Sequence, residues 1–328
     1  MKHTLYILLL AILLTSCHKS NRFAIDTDES DLQIKIERFD RDFIADTAKT
    51  AALQAKYATF FRIYTQEIMK FGSPDDSSFY KYAVQTFLKD SAFHNAYETE
   101  LRTFADVADI EAKLTGAFRY IKHYFPQTVV PRVIMYVSGF NQPVVATDSV
   151  LALSADNYLG KDFSGYKTLV YEYQLEGMKP ENVPCDYVMV WLAHCFPFEQ
   201  SETLLDNMLY QGKIMYLLEA FMPEEPEHIL IAYTPEQIKW CRDNEKQMWT
   251  MIAEKKHLFS QDYMLLKKYL DDAPYTVYFP EQSPGRAGAW IGWQIVRAYM
   301  KNNTGVTLQE LMAERNYRKI LEKSGYRP

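Results

Sequence analysis

Residues 132–154 read RVIMYVSGFNQPVVATDSVLALS. Three β-rich runs share this stretch, at residues 132–138, 143–147 and 150–154, and Gly139, Asn141 and Asp148 fall between them. Short branched and aliphatic runs separated by turn residues predict a small sheet, here built from hairpins. Working back towards the start, apolar residues recur at helical spacing. Leu53, Tyr57, Phe60, Phe61, Tyr64 and Ile68 predict a helix over residues 48–70. Similar patterns cover residues 78–89 and 107–125, the latter with Ile110, Leu114, Phe118 and Ile121 on one face. A short strand is expected at residues 33–38, where apolar and charged residues alternate.

Beyond the sheet the chain reads as helical almost to its end. Helices are expected at residues 187–195, 202–221, 234–254, 287–301 and 307–322. Thr234-Pro235-Glu236-Gln237 places an N-cap Thr, a Pro at the first helical position and Gln at the third. Thr307 and Glu310 form a second capping box, and Gly325 stands just past the last helix. No repeat or low-complexity linker divides the 328 residues. The fold class is therefore α+β, mainly α-helical, with a small β-sheet in the middle of the chain and a single domain over residues 32–328. Hydrophobic residues make up 48% and charged residues 24%, the balance of a globular body rather than a disordered one.

The N-terminus carries an address. Lys2 precedes an unbroken apolar run over residues 6–14, and Leu14-Thr15-Ser16-Cys17 follows as a lipobox. Residues 1–16 read as a signal peptide, since the run is short and small residues precede the cut. It also falls short of the ~20 residues of a membrane span. Cys17 is then the lipid-attachment residue, and residues 17–31 read as lipidated Cys and flexible tether. Several acyl chains on one Cys hold firmly where a single chain does not.

Loss of Lys2 moves the net charge from −6 to −7. A mildly acidic body without a concentrated basic face excludes a nucleic-acid partner. Cys185, Cys195 and Cys241 remain, an odd number. At least one is free or pairs between molecules, with a Cys185–Cys195 bridge or plain buried thiols both open. No Cys/His spacing points to a metal, and no GxSxG elbow supports a serine hydrolase.

Three stretches carry a resemblance. They are VLALSADNYLGKD (150–162); MLYQGKIMYL (208–217) followed by AYTPEQ (232–237) and WCRDNE (240–245); and SPGRAGAWIGWQIVR (283–297). With the lipobox they resemble, in order and over nearly the whole mature chain, the gliding motility lipoprotein GldB family. The resemblance implies a lipid-anchored accessory protein of the cell envelope, needed for surface gliding in some members and present in non-motile relatives. It implies envelope proteins as partners, the membrane as anchor, no cofactor and no established catalytic activity. Acidic residues close behind Cys17 would suggest outer-surface display; the first is Asp26, which favours the periplasmic face of the outer membrane.

A remoter likeness is to a family of zinc peptidases, so a degenerate zinc-peptidase-like scaffold is expected. Zinc catalysis needs two His one helical turn apart, with a third ligand. Here WLAHCFPFE (191–199) has His194 followed by Cys195 where the base Glu belongs, and Phe198 where the second His belongs. No metal and no catalytic residue are therefore assigned. If a pocket exists, His194, Arg286, Trp290, Trp293 and Arg297 are the residues expected near it. Gly285, Gly288 and Gly292 suit either close helix packing or an anion at a helix N-terminus with Arg286 in reach. The leading expectation is a non-catalytic scaffold; the alternative is an envelope hydrolase, peptidase-like or peptidoglycan-acting, with an unrecognised active site.

Overall fold

A computed structural model describes residues 22–25, 31–46, 50–199 and 202–328. The expected signal peptide and the lipid site Cys17 lie outside the described residues. The strands are β1 (Ile36–Arg38), β2 (Arg132–Tyr136), β3 (Val144–Ala146) and β4 (Val150–Ser154). Before the sheet come helices α1 (Phe39–Asp46), α2 (Thr50–Arg62, prolonged by a π-helical stretch Ile63–Ile68), α3 (Ser77–Leu88), α4 (Ser91–Thr103) and α5 (Ala108–Tyr124). After it come α6 (Val183–Cys195), α7 (Leu204–Phe221), α8 (Glu227–Leu230), α9 (Pro235–Asp243), α10 (Glu245–Glu254) and α11 (Tyr263–Leu270). The chain closes with α12 (Ala287–Asn302), α13 (Leu308–Ala313) and α14 (Tyr317–Ser324). The α+β class with its sheet in mid-chain is what the sequence indicates.

The sheet is not a set of hairpins. Its order is β1-β2-β4-β3, with β1 parallel to β2, β2 parallel to β4, and only β3 antiparallel to β4. The physical reason is burial on both faces. Ile134, Tyr136, Val150 and Ala152 face an aromatic layer, whereas Val133, Met135, Leu151 and Leu153 face the main helical core. Strands covered on both sides read as continuous apolar runs, and parallel pairing goes with such cover.

The aromatic layer is made of Phe39, Phe43, Tyr57, Phe60 and Tyr64, all fully buried on α1, α2 and its extension. Phe39 sits at its centre, edge-on to Tyr57 at 4.8 Å, Phe60 at 5.1 Å and Tyr64 at 4.7 Å. Edge-to-face ring pairs of this kind add ~0.5–1.5 kcal/mol each beyond area burial. At the layer's rim, Arg38 chelates buried Asp40 and donates to Glu100 at 2.9 Å. Burial, with the charge of Asp40 alongside, pushes the Glu100 carboxyl up to about 9, so it keeps its proton at neutral pH.

On the other side of the sheet α6 packs on β3 and β4, and beyond it α7 and α12 cross with their main chains touching. A Cβ on Gly292 would stand 1.8 Å from the Met208 carbonyl oxygen, and one on Gly212 would stand 2.4 Å from the Gly292 carbonyl. Gly288 packs in the same way on the Tyr269 main chain. These glycines are there for close approach. Lys213, next to Gly212, is buried and donates to the carbonyls of Met312 (3.2 Å) and Glu314 (2.9 Å), closing the C-terminal end of α13. Burial lowers its ammonium to about 8.

The expected helix over residues 234–254 breaks at Asn244, and that over 307–322 breaks between Ala313 and Tyr317. Both capping boxes form as read, and Gly325 takes the left-handed conformation that ends α14 (φ +58°). Cys185, Cys195 and Cys241 are all free. Cys185 and Cys195 lie at the two ends of α6, ~15 Å apart along the axis, far beyond disulfide reach. Residues 22–25, read as tether, instead pack on the body: Phe23 is only 8% exposed, and Ile25 rests on the main core. Among the described residues no helix is long and apolar enough to cross a membrane.

Candidate functional site

A cleft of about 400 Å³ opens where β3, the segment after β4, α6 and the approach to α12 converge. Each wall follows from local sequence. The SADNYLG segment turns off β4 because Asp156, fully buried, gathers the backbone N–H of Phe140 at 2.9 Å and both Ser138 and Ser154. Burial raises its carboxyl, and these hydrogen bonds resist that. The turn continues through Tyr166, whose hydroxyl donates to the Asp156 carbonyl and accepts from the Leu159 N–H. Tyr158 is thereby aimed at the floor.

On that floor lies Asp186, one turn into α6, with Met189 and Val190 on the same side. Tyr158 donates to its Oδ2 at 2.7 Å. Burial pushes Asp186 up to about 6, while the Tyr158 bond and the Arg286 charge hold it down and Asp272 adds to the rise. A buried carboxyl poised near neutrality at the floor of a cleft is the most reactive-looking feature of the described residues.

The opposite wall is the PGR segment. Gly285 is pressed against Ala273, where a Cβ would meet the carbonyl oxygen at 2.3 Å. Its own carbonyl accepts from the Tyr233 hydroxyl at 2.5 Å. Arg286, at φ +56°, pairs with Asp272 at 2.8 Å and donates to the Ile231 carbonyl at 2.7 Å. The start of α12 is not an open anion site. Thr276 Oγ1 already accepts from the Ala287 N–H at 3.0 Å.

The structure does not bring the five expected pocket residues together. Arg286 lines the cleft. Trp290 and Trp293 are fully buried on α12; among the described residues the Trp290 indole N–H has no partner, and that of Trp293 donates to Glu219 of α7 at 3.0 Å. Arg297 lies over the Trp293 ring at 3.9 Å, grips Glu219 with two bonds of 2.8 Å and pairs with Glu227 at 2.9 Å. Burial opposes the Arg297 charge, but its carboxylate partners more than offset this and raise it. The apolar residues that look like a pocket rim in sequence are buried in the core.

His194 lies outside the cleft lining. It stacks on Trp191 at 5.4 Å, its side chain 31% exposed, with Nε2 3.3 Å from Asp148 in the β3–β4 turn. Among the described residues no three His, Cys, Asp or Glu side chains gather closely enough to hold a metal. Asp186 and Tyr158 were missed as site residues. A signal existed: Asp186 is the one carboxylate in an otherwise apolar helix, VPCDYVMVWLAHC.

Residues 20–328 match the family described as gliding motility protein GldB. The chain belongs to that family. The GldB match spans all the elements above, so the cleft, the glycine crossing and the aromatic layer all lie within it. Searches of curated proteins and of solved structures find no match.

Proposed function

We propose that this GldB-family chain is a lipid-anchored accessory protein on the periplasmic face of the outer membrane, serving gliding motility or envelope assembly. Its folded body works by contacting other envelope proteins and turns over no substrate. The match of residues 20–328 to a gliding motility family carries the reading. The lipobox ending at Cys17 supports the anchor. The degenerate HExxH segment, with His194 held by Trp191 and Asp148, supports a body that does not work as a zinc peptidase.

Crosslinking in cells followed by purification tests the proposal. Defined envelope partners should co-purify, and Cys17→Ser should release the protein from the membrane fraction. The cleft supplies the contrary outcome, since Asp186 could serve an acid–base step. Cleavage of peptides or peptidoglycan by the purified protein, lost in Asp186→Asn while the fold is kept, would replace the scaffold reading with a hydrolase.

A further inference from the structure

The chain enters its fold at one well-defined place. Arg22 donates to the carbonyls of Met300 (2.5 Å), Thr304 (3.1 Å) and Val306 (2.6 Å). These are the last turn of α12 and the bend after it. Phe23 slots between Tyr124, 5.8 Å away at the end of α5, and Tyr216 of α7 at 6.2 Å, both edge-on. The Tyr124 hydroxyl donates to the Phe23 carbonyl at 3.0 Å. Three charge-assisted bonds and a buried ring fix this residue pair to the body.

That docking leaves little slack. From Cys17 to Arg22 the chain takes five steps, and at full extension these reach only ~18 Å. Helix α12, with 16 residues, is ~24 Å long. A lipid on Cys17 therefore reaches the bilayer from the C-terminal end of α12 and cannot do so from its N-terminal end. Around the docking point, Val129 is 57% exposed and Lys301 is exposed, while the exposed Glu310 carboxylate sits on the Thr307 N–H.

We infer, on the reading that Cys17 is lipidated, that the face formed by Arg22, the bend at residues 301–306 and the loop at residues 126–130 lies against the bilayer that holds the anchor. The body is held in one orientation, with α12 pointing away from the membrane. The cleft at Arg286 and Asp186 is carried at the far end of that helix, open to the compartment.

The lipidated full chain in phosphatidylethanolamine–phosphatidylglycerol vesicles tests this. In a Cys195→Ser background, an environment-sensitive fluorophore is placed at Thr304→Cys or at exposed Gln282→Cys, near the start of α12. A nitroxide headgroup lipid should quench the first several-fold more than the second. Inserting about ten Gly/Ser residues between Ser20 and Asn21 should remove the difference without touching the fold. So should Arg22→Ala combined with Phe23→Ser. Equal quenching at both sites in the parent, or a difference that survives the insertion, overturns the orientation. Glycerolipid mass on the N-terminal peptide is measured first; its absence overturns the anchor itself and with it this inference, and so separates the two failures.

Discussion

The two faces of the central sheet are covered by opposite means. On one, α1 and α2 spread large rings over Ile134, Tyr136 and Ala152, and the contact is made entirely by side chains. On the other side, beyond α6, which packs on β3 and β4, Gly212 of α7 meets Gly292 of α12 main chain to main chain, with no side chain between them. Rings can tilt and shift to absorb a loss, at the cost of a cavity. A main-chain contact cannot, because any added atom must separate the two helices. The same protein thus has a tolerant layer on one side of the sheet and an intolerant crossing on the other.

The sharpest way to break this contrast is at Gly292. Gly292→Leu should cost about 5 kcal/mol or more and leave little folded protein, read by circular dichroism and thermal melting. A folded variant with a near-parent Tm would show that the helices do not touch. Phe39→Ala, at the hub of the aromatic layer, should lose about 3–5 kcal/mol yet still fold with a cooperative urea transition. If it proved as damaging as Gly292→Leu, the tolerance assigned to the ring layer would be wrong.

The rim of that layer adds a pH dependence. Glu100 holds its proton up to about 9 in the fold, but in the unfolded chain releases it near the usual ~4.3. Unfolding therefore releases a proton throughout this window, and the stability contributed is full at low pH and falls as pH rises towards 9. Glu100→Gln keeps an acceptor for Arg38 and cannot titrate, so its urea midpoint should decline less from pH 5 to pH 9 than the parent's. Parallel declines would remove the assignment. The smallest effect is expected at Gly116, in the interior of α5, where a Cβ meets nothing within 4 Å. Gly116→Ala should stabilise by ~0.5–1 kcal/mol, the reverse of the change at Gly292.

Much of this architecture was legible in the sequence, and the failures have identifiable causes. Helix positions followed from apolar spacing, and their ends from Thr234, Thr307 and Gly325. Strand pairing did not follow, because turn residues between RVIMYVS and VLALS suggested hairpins. The unbroken apolar character of both runs, which marks strands buried on two faces, carried the better information. Helices α1, α4, α8 and α11 have no counterpart in the sequence reading, and breaks at Asn244 and after Ala313 do not disturb apolar spacing enough to be seen. For the site, spacing shows which residues share a helix face but not what covers that face. Trp290 and Trp293 consequently looked like a pocket rim, while Asp186 was passed over in the apolar run that contains it.

The main-chain crossing also governs how the protein would carry tension. A pull on the lipid enters through the Arg22 guanidinium at the last turn of α12, and α12 hands it to α7 through Gly292 and Gly212. Side chains at a contact can rotate and let two helices creep past one another. Here the contact of Gly212 with Gly292 has no side chain to rotate, and Trp293 and Arg297 tie the same two helices together through Glu219.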